Sequence, residues 1–162
     1  SRQLLREIGP WSDFRVFEDW EYECRIAATN VRMDFCDQFV CDVRHHPGSR
    51  LGLQWRENQE VFEDMLKAHE RVLEYARQAG VDSDSEEMQH FARNLFRLSR
   101  DAATRGMKQW ASRLFGTARE INNSSDFEYA VFAFLAGVVG WRAAAGAANR
   151  FANLKRKARG GS

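Results

Sequence analysis

Two adjacent carboxylates, Glu18 and Asp19, stand six residues or so ahead of Arg25, with Trp20 and Tyr22 between them. Acidic side chains at a helix start complement the positive end of its dipole. A carboxylate within hydrogen-bond reach of a hydroxyl can also take its proton. Further on, Arg44-His45-His46-Pro47-Gly48-Ser49-Arg50 sets two imidazoles at the entry of a turn, between guanidinium groups suited to phosphate oxygens. His45 reads as a loop residue. Cys36 and Cys41 bring thiols near these imidazoles, but the spacing fits no zinc pattern well, and buried thiols are commoner. Asp82-Ser83-Asp84 lies between helical stretches and reads as a cap, not a metal site. His69 and His90 sit in charged helical stretches and are expected to face solvent. Asn122-Asn123-Ser124 has the form of a glycosylation acceptor, which matters only in a secreted chain.

The elements that must position these groups divide into two halves. Up to Leu53 the sequence mixes turns, aromatics and short apolar runs; long charged helical stretches follow. Leu4, Leu5 and Ile8 share one face of an opening helix that Gly9-Pro10 ends. After an aromatic loop over 11–17, a second helix is expected from Glu18 to about Thr29. Trp20, Cys24, Ala27 and Ala28 form its expected buried stripe. Residues 31–35 and 39–43 are short, β-prone runs that can pair as an antiparallel ribbon through Asp37-Gln38. Helices are then expected over 54–79, 86–104 and 108–121, and a last one from Asp126 to about Lys157. Ser/Asp, Gly106 and Asn/Ser breaks separate them. The breaks recur with repeat-like spacing, but no residue signature recurs with them.

Composition narrows the function classes. The 162 residues suffice for one domain with a sizeable core, and 44% hydrophobic residues exclude a disordered chain. Lys and Arg number 24 against 23 Asp and Glu, so a nucleic-acid interface spread over the whole chain is not expected. Three cysteines make no disulfide scaffold and suit a reducing, cytoplasmic compartment. No charged leader with an apolar run and cleavage site opens the sequence, which starts at Ser1; a piece of a longer protein is expected.

The motif-bearing residues form an ordered set. Leu4-Leu5-Arg6-Glu7-Ile8-Gly9-Pro10-Trp11 leads to Glu18-Asp19-Trp20-Glu21-Tyr22 with Arg25, and then to Arg44-His45-His46-Pro47-Gly48-Ser49. In that order and spacing, residues 1–53 resemble the acceptor-side half of family 2 glycosyltransferases, inverting enzymes of the GT-A fold. In that family a helix ending in Ile-Gly-x-(Trp/Phe) precedes a Glu-Asp pair that opens a helix, with an Arg six residues on. A strand and a His-x-Gly-Ser turn follow. Each piece is weak alone; the ordered set is more specific.

The resemblance implies roles. Asp19 would be the general base that takes the proton of an acceptor hydroxyl as it attacks the anomeric carbon, with Glu18 an acceptor-site neighbour. Trp11 would stack on a sugar face, whereas Trp20, on the expected buried stripe, suits the core. His46 would lie beside the nucleotide diphosphate or ligate a divalent ion, for which imidazole suits Mn²⁺ better than Mg²⁺. The bland alternatives are a dipole-satisfying acidic pair and a loop histidine. The family's nucleotide-binding half, with its Asp-x-Asp, has no counterpart in these residues. The resemblance therefore implies the C-terminal part of a longer enzyme, inactive alone and binding no metal by itself.

Residues 129–141 are apolar all round, too short for a membrane span, and Lys155-Arg156-Lys157 and Arg159 follow as a basic tail. This fits either a core helix of a bundle or a helix lying on an anionic membrane face through 126–159. The sequence is thus read as mainly α with a small β ribbon. Residues 1–53 are the fragment of an α/β GT-A-type domain and 54–162 a helical extension. The expected function is sugar transfer from a nucleotide sugar to a glycan or lipid-linked hydroxyl acceptor, with inversion, in the cytoplasm or on the inner membrane face. The alternative is a non-catalytic helical interaction module.

Overall fold

A computed structural model of the chain describes residues 2–32, 37–38, 55, 57–122 and 127–159. Among these the protein is mainly α, with helices α1 (Arg2–Ile8), α2 (Glu18–Ala27), α3 (Gln59–Gln78), α4 (Glu86–Thr104), α5 (Lys108–Ile121), α6 (Phe127–Val139) and α7 (Trp141–Arg159), and no strand. The ribbon expected at 31–35 and 39–43 falls largely outside the described residues, at 33–35 and 39–43. The chain forms two compact units, Ser1–Val81 and Asp82–Ser162, so α3 belongs with α1 and α2; the sequence reading divides the chain at 53/54.

In the first unit, α1 ends at Gly9, whose positive φ of 78° suits a residue without a Cβ and whose N–H donates to the Leu5 carbonyl. Helix α3 starts five residues later than expected because Asn58 caps it: its side-chain oxygen accepts from the N–H groups of Glu60 and Val61, at 2.9 and 3.3 Å. Val61, Met65, Ala68 and Val72, with Phe62, Leu66 and Leu73, bury one face of α3, and α2 packs against this helix. His69 shares that face. The sequence expectation that it meets solvent is corrected: it is buried, its Nδ1–H donates to the Met65 carbonyl at 2.8 Å, and Phe17 and Trp20 pack on its ring. His90, by contrast, is exposed.

The second unit is a four-helix arrangement in which α4 packs chiefly on α5 and α7, and α6 on α7. The Ser85 side chain caps α4 by accepting from the Met88 N–H at 3.3 Å. Asp82 accepts from the Asp84 N–H at 2.9 Å, so the Asp-x-Asp pair forms the turn before this cap. The single last helix expected from 126 to 157 is instead two. Gly140, at φ 85°, leaves the helical region and separates α6 from α7. The break lets Trp141 turn its ring onto Phe115 and Phe132, at 5.7 and 5.9 Å between centroids. Phe96, Phe115, Tyr129 and Phe132 complete this aromatic cluster, with centroid separations of 4.3 to 6.0 Å.

Candidate functional site

The acidic turn opening α2 rests on a buried carboxylate. Phe17, at φ 63°, delivers the chain into the helix, and its carbonyl accepts the first bond from the Glu21 N–H at 2.9 Å. Glu21 then points inward and is fully buried. Its Oε1 accepts from the Tyr75 hydroxyl at 2.6 Å, and its Oε2 accepts from the Ser12 hydroxyl at 2.7 Å and from Arg25 Nη2 at 2.9 Å. A buried charge is tolerated only when paired and hydrogen-bonded in this way. Burial pushes the Glu21 carboxyl up, but the bonds from Tyr75, Ser12 and Arg25, with the Arg25 charge, outweigh it and leave the group below its ordinary value. Tyr75 shifts oppositely: burial first, then its bond to Glu21 and the Glu21 charge, push it up to about 12.

Arg25 ties the neighbourhood together. Its Nη1 donates to the carbonyls of Ile8 and Pro10, both at 2.9 Å, while Nη2 serves Glu21 and, at 3.4 Å, the Ser12 hydroxyl. Four acceptors on α1, on the following loop and on α2 thus meet one guanidinium, a planar fork no lysine can imitate. The guanidinium lies 5.1 Å from the Tyr22 ring centroid, and the Trp11 ring stacks on Tyr22, also at 5.1 Å. The loop is held from its other side as well. Arg15 donates from its backbone N–H and from Nη1 to Asp64 Oδ2 on α3, at 3.4 and 3.3 Å, and pairs with Glu60 at 3.1 Å.

On this base, the residues expected to do chemistry face outward. Asp19 is exposed; its Oδ1 accepts from the Trp20 N–H at 2.7 Å, which steadies the carboxylate at the helix start. Glu18 is half-buried beside it. Trp11 is 55% exposed, offering the ring face not covered by Tyr22. Glu18 and Asp19 thus open the helix that carries Arg25, and Trp11 stands on the Tyr22 ring of that same helix. His46 lies outside the described residues, as do His45, Cys36 and Cys41.

The expected buried stripe of α2 is corrected. Trp20, Cys24 and Ala28 are half-buried and Ala27 is exposed; Glu21 is the buried residue. The carboxylate displaces apolar side chains from the inner position because Arg25, Ser12 and Tyr75 satisfy it there. Cys24 is no candidate nucleophile, since burial, with Glu23 and Glu21 nearby, raises its thiol above the ordinary value. Sequence reasoning missed Glu21, Ser12 and Tyr75. The available signal was the Glu21–Arg25 spacing, a helical i,i+4 ion pair. Among the described residues no three His, Cys, Asp or Glu side chains converge as a metal site. No protein-family model, curated protein or solved structure matches this chain.

Proposed function

We propose that residues 1–53 are the acceptor-side part of an inverting glycosyltransferase, which moves a sugar from a nucleotide-activated donor to a hydroxyl acceptor, and that 54–162 are its helical extension. One observation carries the reading. Arg25 bonds the carbonyls of Ile8 and Pro10, so the Ile-Gly-Pro helix end and the Glu-Asp helix of the resemblance form a single hydrogen-bonded piece with Asp19 on its outer side. In the proposed reaction an acceptor hydroxyl rests against Asp19, with Trp11 under its sugar ring and Glu18 binding a neighbouring hydroxyl. As the hydroxyl oxygen attacks the anomeric carbon, its proton passes to the Asp19 carboxylate. The bond to the nucleoside diphosphate breaks on the opposite face, and the anomeric configuration inverts.

None of the described residues is assigned to a metal. His46 keeps its proposed place beside the diphosphate or as ligand of a Mn²⁺ or Mg²⁺ ion, which when bound would offset charge on the departing phosphates. Donor binding is assigned to protein outside residues 1–162, so this chain alone is expected to transfer nothing. The proposed setting is the cytoplasm, with a glycan or lipid-linked acceptor.

The test is product stereochemistry. The protein carrying this chain together with its donor-binding part is incubated with nucleotide sugars and a panel of glycan and lipid-linked acceptors. NMR of the new glycosidic bond should show inverted configuration. Retention of configuration, or no turnover with any donor, returns the chain to the alternative reading as a helical interaction module.

A further inference from the structure

Trp11 is fixed from three directions and still faces water. Its neighbours in the loop are both tied to α2. The Pro10 carbonyl accepts from Arg25 Nη1 at 2.9 Å, and the Ser12 hydroxyl donates to Glu21 Oε2 at 2.7 Å. The Trp11 ring itself stacks on Tyr22 of the same helix, with centroids 5.1 Å apart and planes 15° from parallel. The other four tryptophans are half-buried, whereas Trp11 is 55% exposed. Trp20 and Trp141 show what an indole does in the service of packing: one lies on Phe17 and His69, the other on Phe115 and Phe132. Trp11 is held without being covered, as a flat binding surface requires and a core side chain does not.

Tyr22 is the residue that holds the ring. It is half-buried, and the Arg25 guanidinium lies 5.1 Å from its centroid, so the tyrosine is itself fixed by the residue that ties the loop down. Glu18 and Asp19 stand four and three residues before it, the spacing that sets side chains next to one another on a helix surface. The ring beneath Trp11 is therefore a direct neighbour of the two carboxylates assigned to the acceptor. An unsupported indole on a loop must be immobilised each time a ligand stacks on it, which weakens binding about two- to tenfold. The Tyr22 stack makes that ordering part of folding instead. The occupant such a platform fits is the apolar C–H face of a sugar ring, since an acyclic hydroxyl compound presents no flat face to an indole.

We propose that Tyr22 is a positioning residue for the acceptor: it keeps the Trp11 indole flat and ordered, and the attacking hydroxyl is carried by a sugar ring that stacks there beside Glu18 and Asp19. The assignment rests on the sugar-transfer reading. It adds the residue behind the platform and the ring-bearing class of acceptor.

The test uses the protein that carries this chain together with its donor-binding part, in steady-state assays with ring-bearing and acyclic hydroxyl acceptors. Trp11→Ala should raise the KM of the ring-bearing acceptor about tenfold or more, and Tyr22→Leu, which keeps apolar bulk without a flat ring, about threefold or more. In both variants kcat and donor KM should stay within about twofold, because the stack is present before and during the reaction. Tyr22→Phe, which keeps the stack, should return acceptor KM to within about twofold of the parent value. Adding Tyr22→Leu to Trp11→Ala should raise KM no further, since Tyr22 acts through the indole alone. Effects that multiply in the double variant overturn the assignment and leave sugar transfer standing. An acceptor KM indifferent to Tyr22→Leu does the same, as does a fall in kcat without a change in acceptor KM, or turnover confined to acyclic acceptors. A parent protein that transfers no sugar to any acceptor overturns the sugar-transfer reading, and the role of Tyr22 with it.

Discussion

Tyr75 and Glu21, 54 residues apart in the chain, share a 2.6 Å hydrogen bond in which the phenol donates to a fully buried carboxylate. It links the C-terminal half of α3 to the inner side of the helix that opens with Glu18 and Asp19. Tyr75→Phe removes only the donor and leaves Glu21 with Ser12 and Arg25. Bonds to charged groups contribute about 1.5–3 kcal/mol, so a loss near the lower end, about 1–2 kcal/mol, is expected in urea unfolding. An unchanged midpoint would remove this bond from the forces fixing α2 on α3.

The same pair sets two pH limits of stability with opposite signs. Glu21 is lowered in the folded protein, so its contribution is present above the unfolded value of about 4.3 and is lost as pH falls through the folded one. Tyr75 is raised to about 12, so its contribution is present below about 10 and disappears as pH climbs toward 12. Melting temperature against pH should therefore fall at both ends. Tyr75→Phe should flatten the alkaline limb and Glu21→Gln the acid limb, each relative to its own value at neutral pH.

Arg25→Lys keeps the charge and discards the fork. A single ammonium cannot serve the Ile8 and Pro10 carbonyls, Ser12 and Glu21 together. We expect a loss of about 1–3 kcal/mol, with faster amide exchange over 8–12 than over α3. Uniform exchange across the first unit would show that Arg25 holds no local turn.

Gly140 and Gly137 give a paired test of the break between α6 and α7. Neither has a neighbour within 4 Å of an added Cβ, but only Gly140 has positive φ. Gly140→Ala should cost about 1 kcal/mol or more, whereas Gly137→Ala, in mid-helix, should stabilise by about 0.4–1 kcal/mol. Thermal melts of the two variants shifting in the same direction would contradict the backbone account.

What could be read from the sequence follows from how local each cause is. Helices α4 and α5 end where Ser85, Gly106 and Asn122 stand, and the expected bounds agree with the observed ones. The Gly140 break was hidden because Gly137, of the same type, stays helical three residues earlier; packing of Trp141 on Phe115 and Phe132 distinguishes the two. His69 was legible in principle, since Phe62, Leu66 and Leu73 share its helical face, but the charged neighbourhood of α3 pointed the other way. The Glu-Asp turn was visible as a motif. The buried Glu21 under it was not, because its satisfaction depends on Tyr75 from a distant helix and on Arg25 reaching across to α1.

The most direct measurement on the proposed chemistry is Asp19→Asn in the protein that also carries the donor-binding part, assayed for kcat and for donor KM. The amide keeps the size and the bond from the Trp20 N–H but cannot accept a proton. The proposal predicts that kcat falls by about 10²–10⁴-fold while donor KM stays within about threefold. Because Asp19 is exposed, the variant should melt with the parent protein. A variant that melts normally and keeps most of its turnover would contradict the assignment of Asp19 as the base.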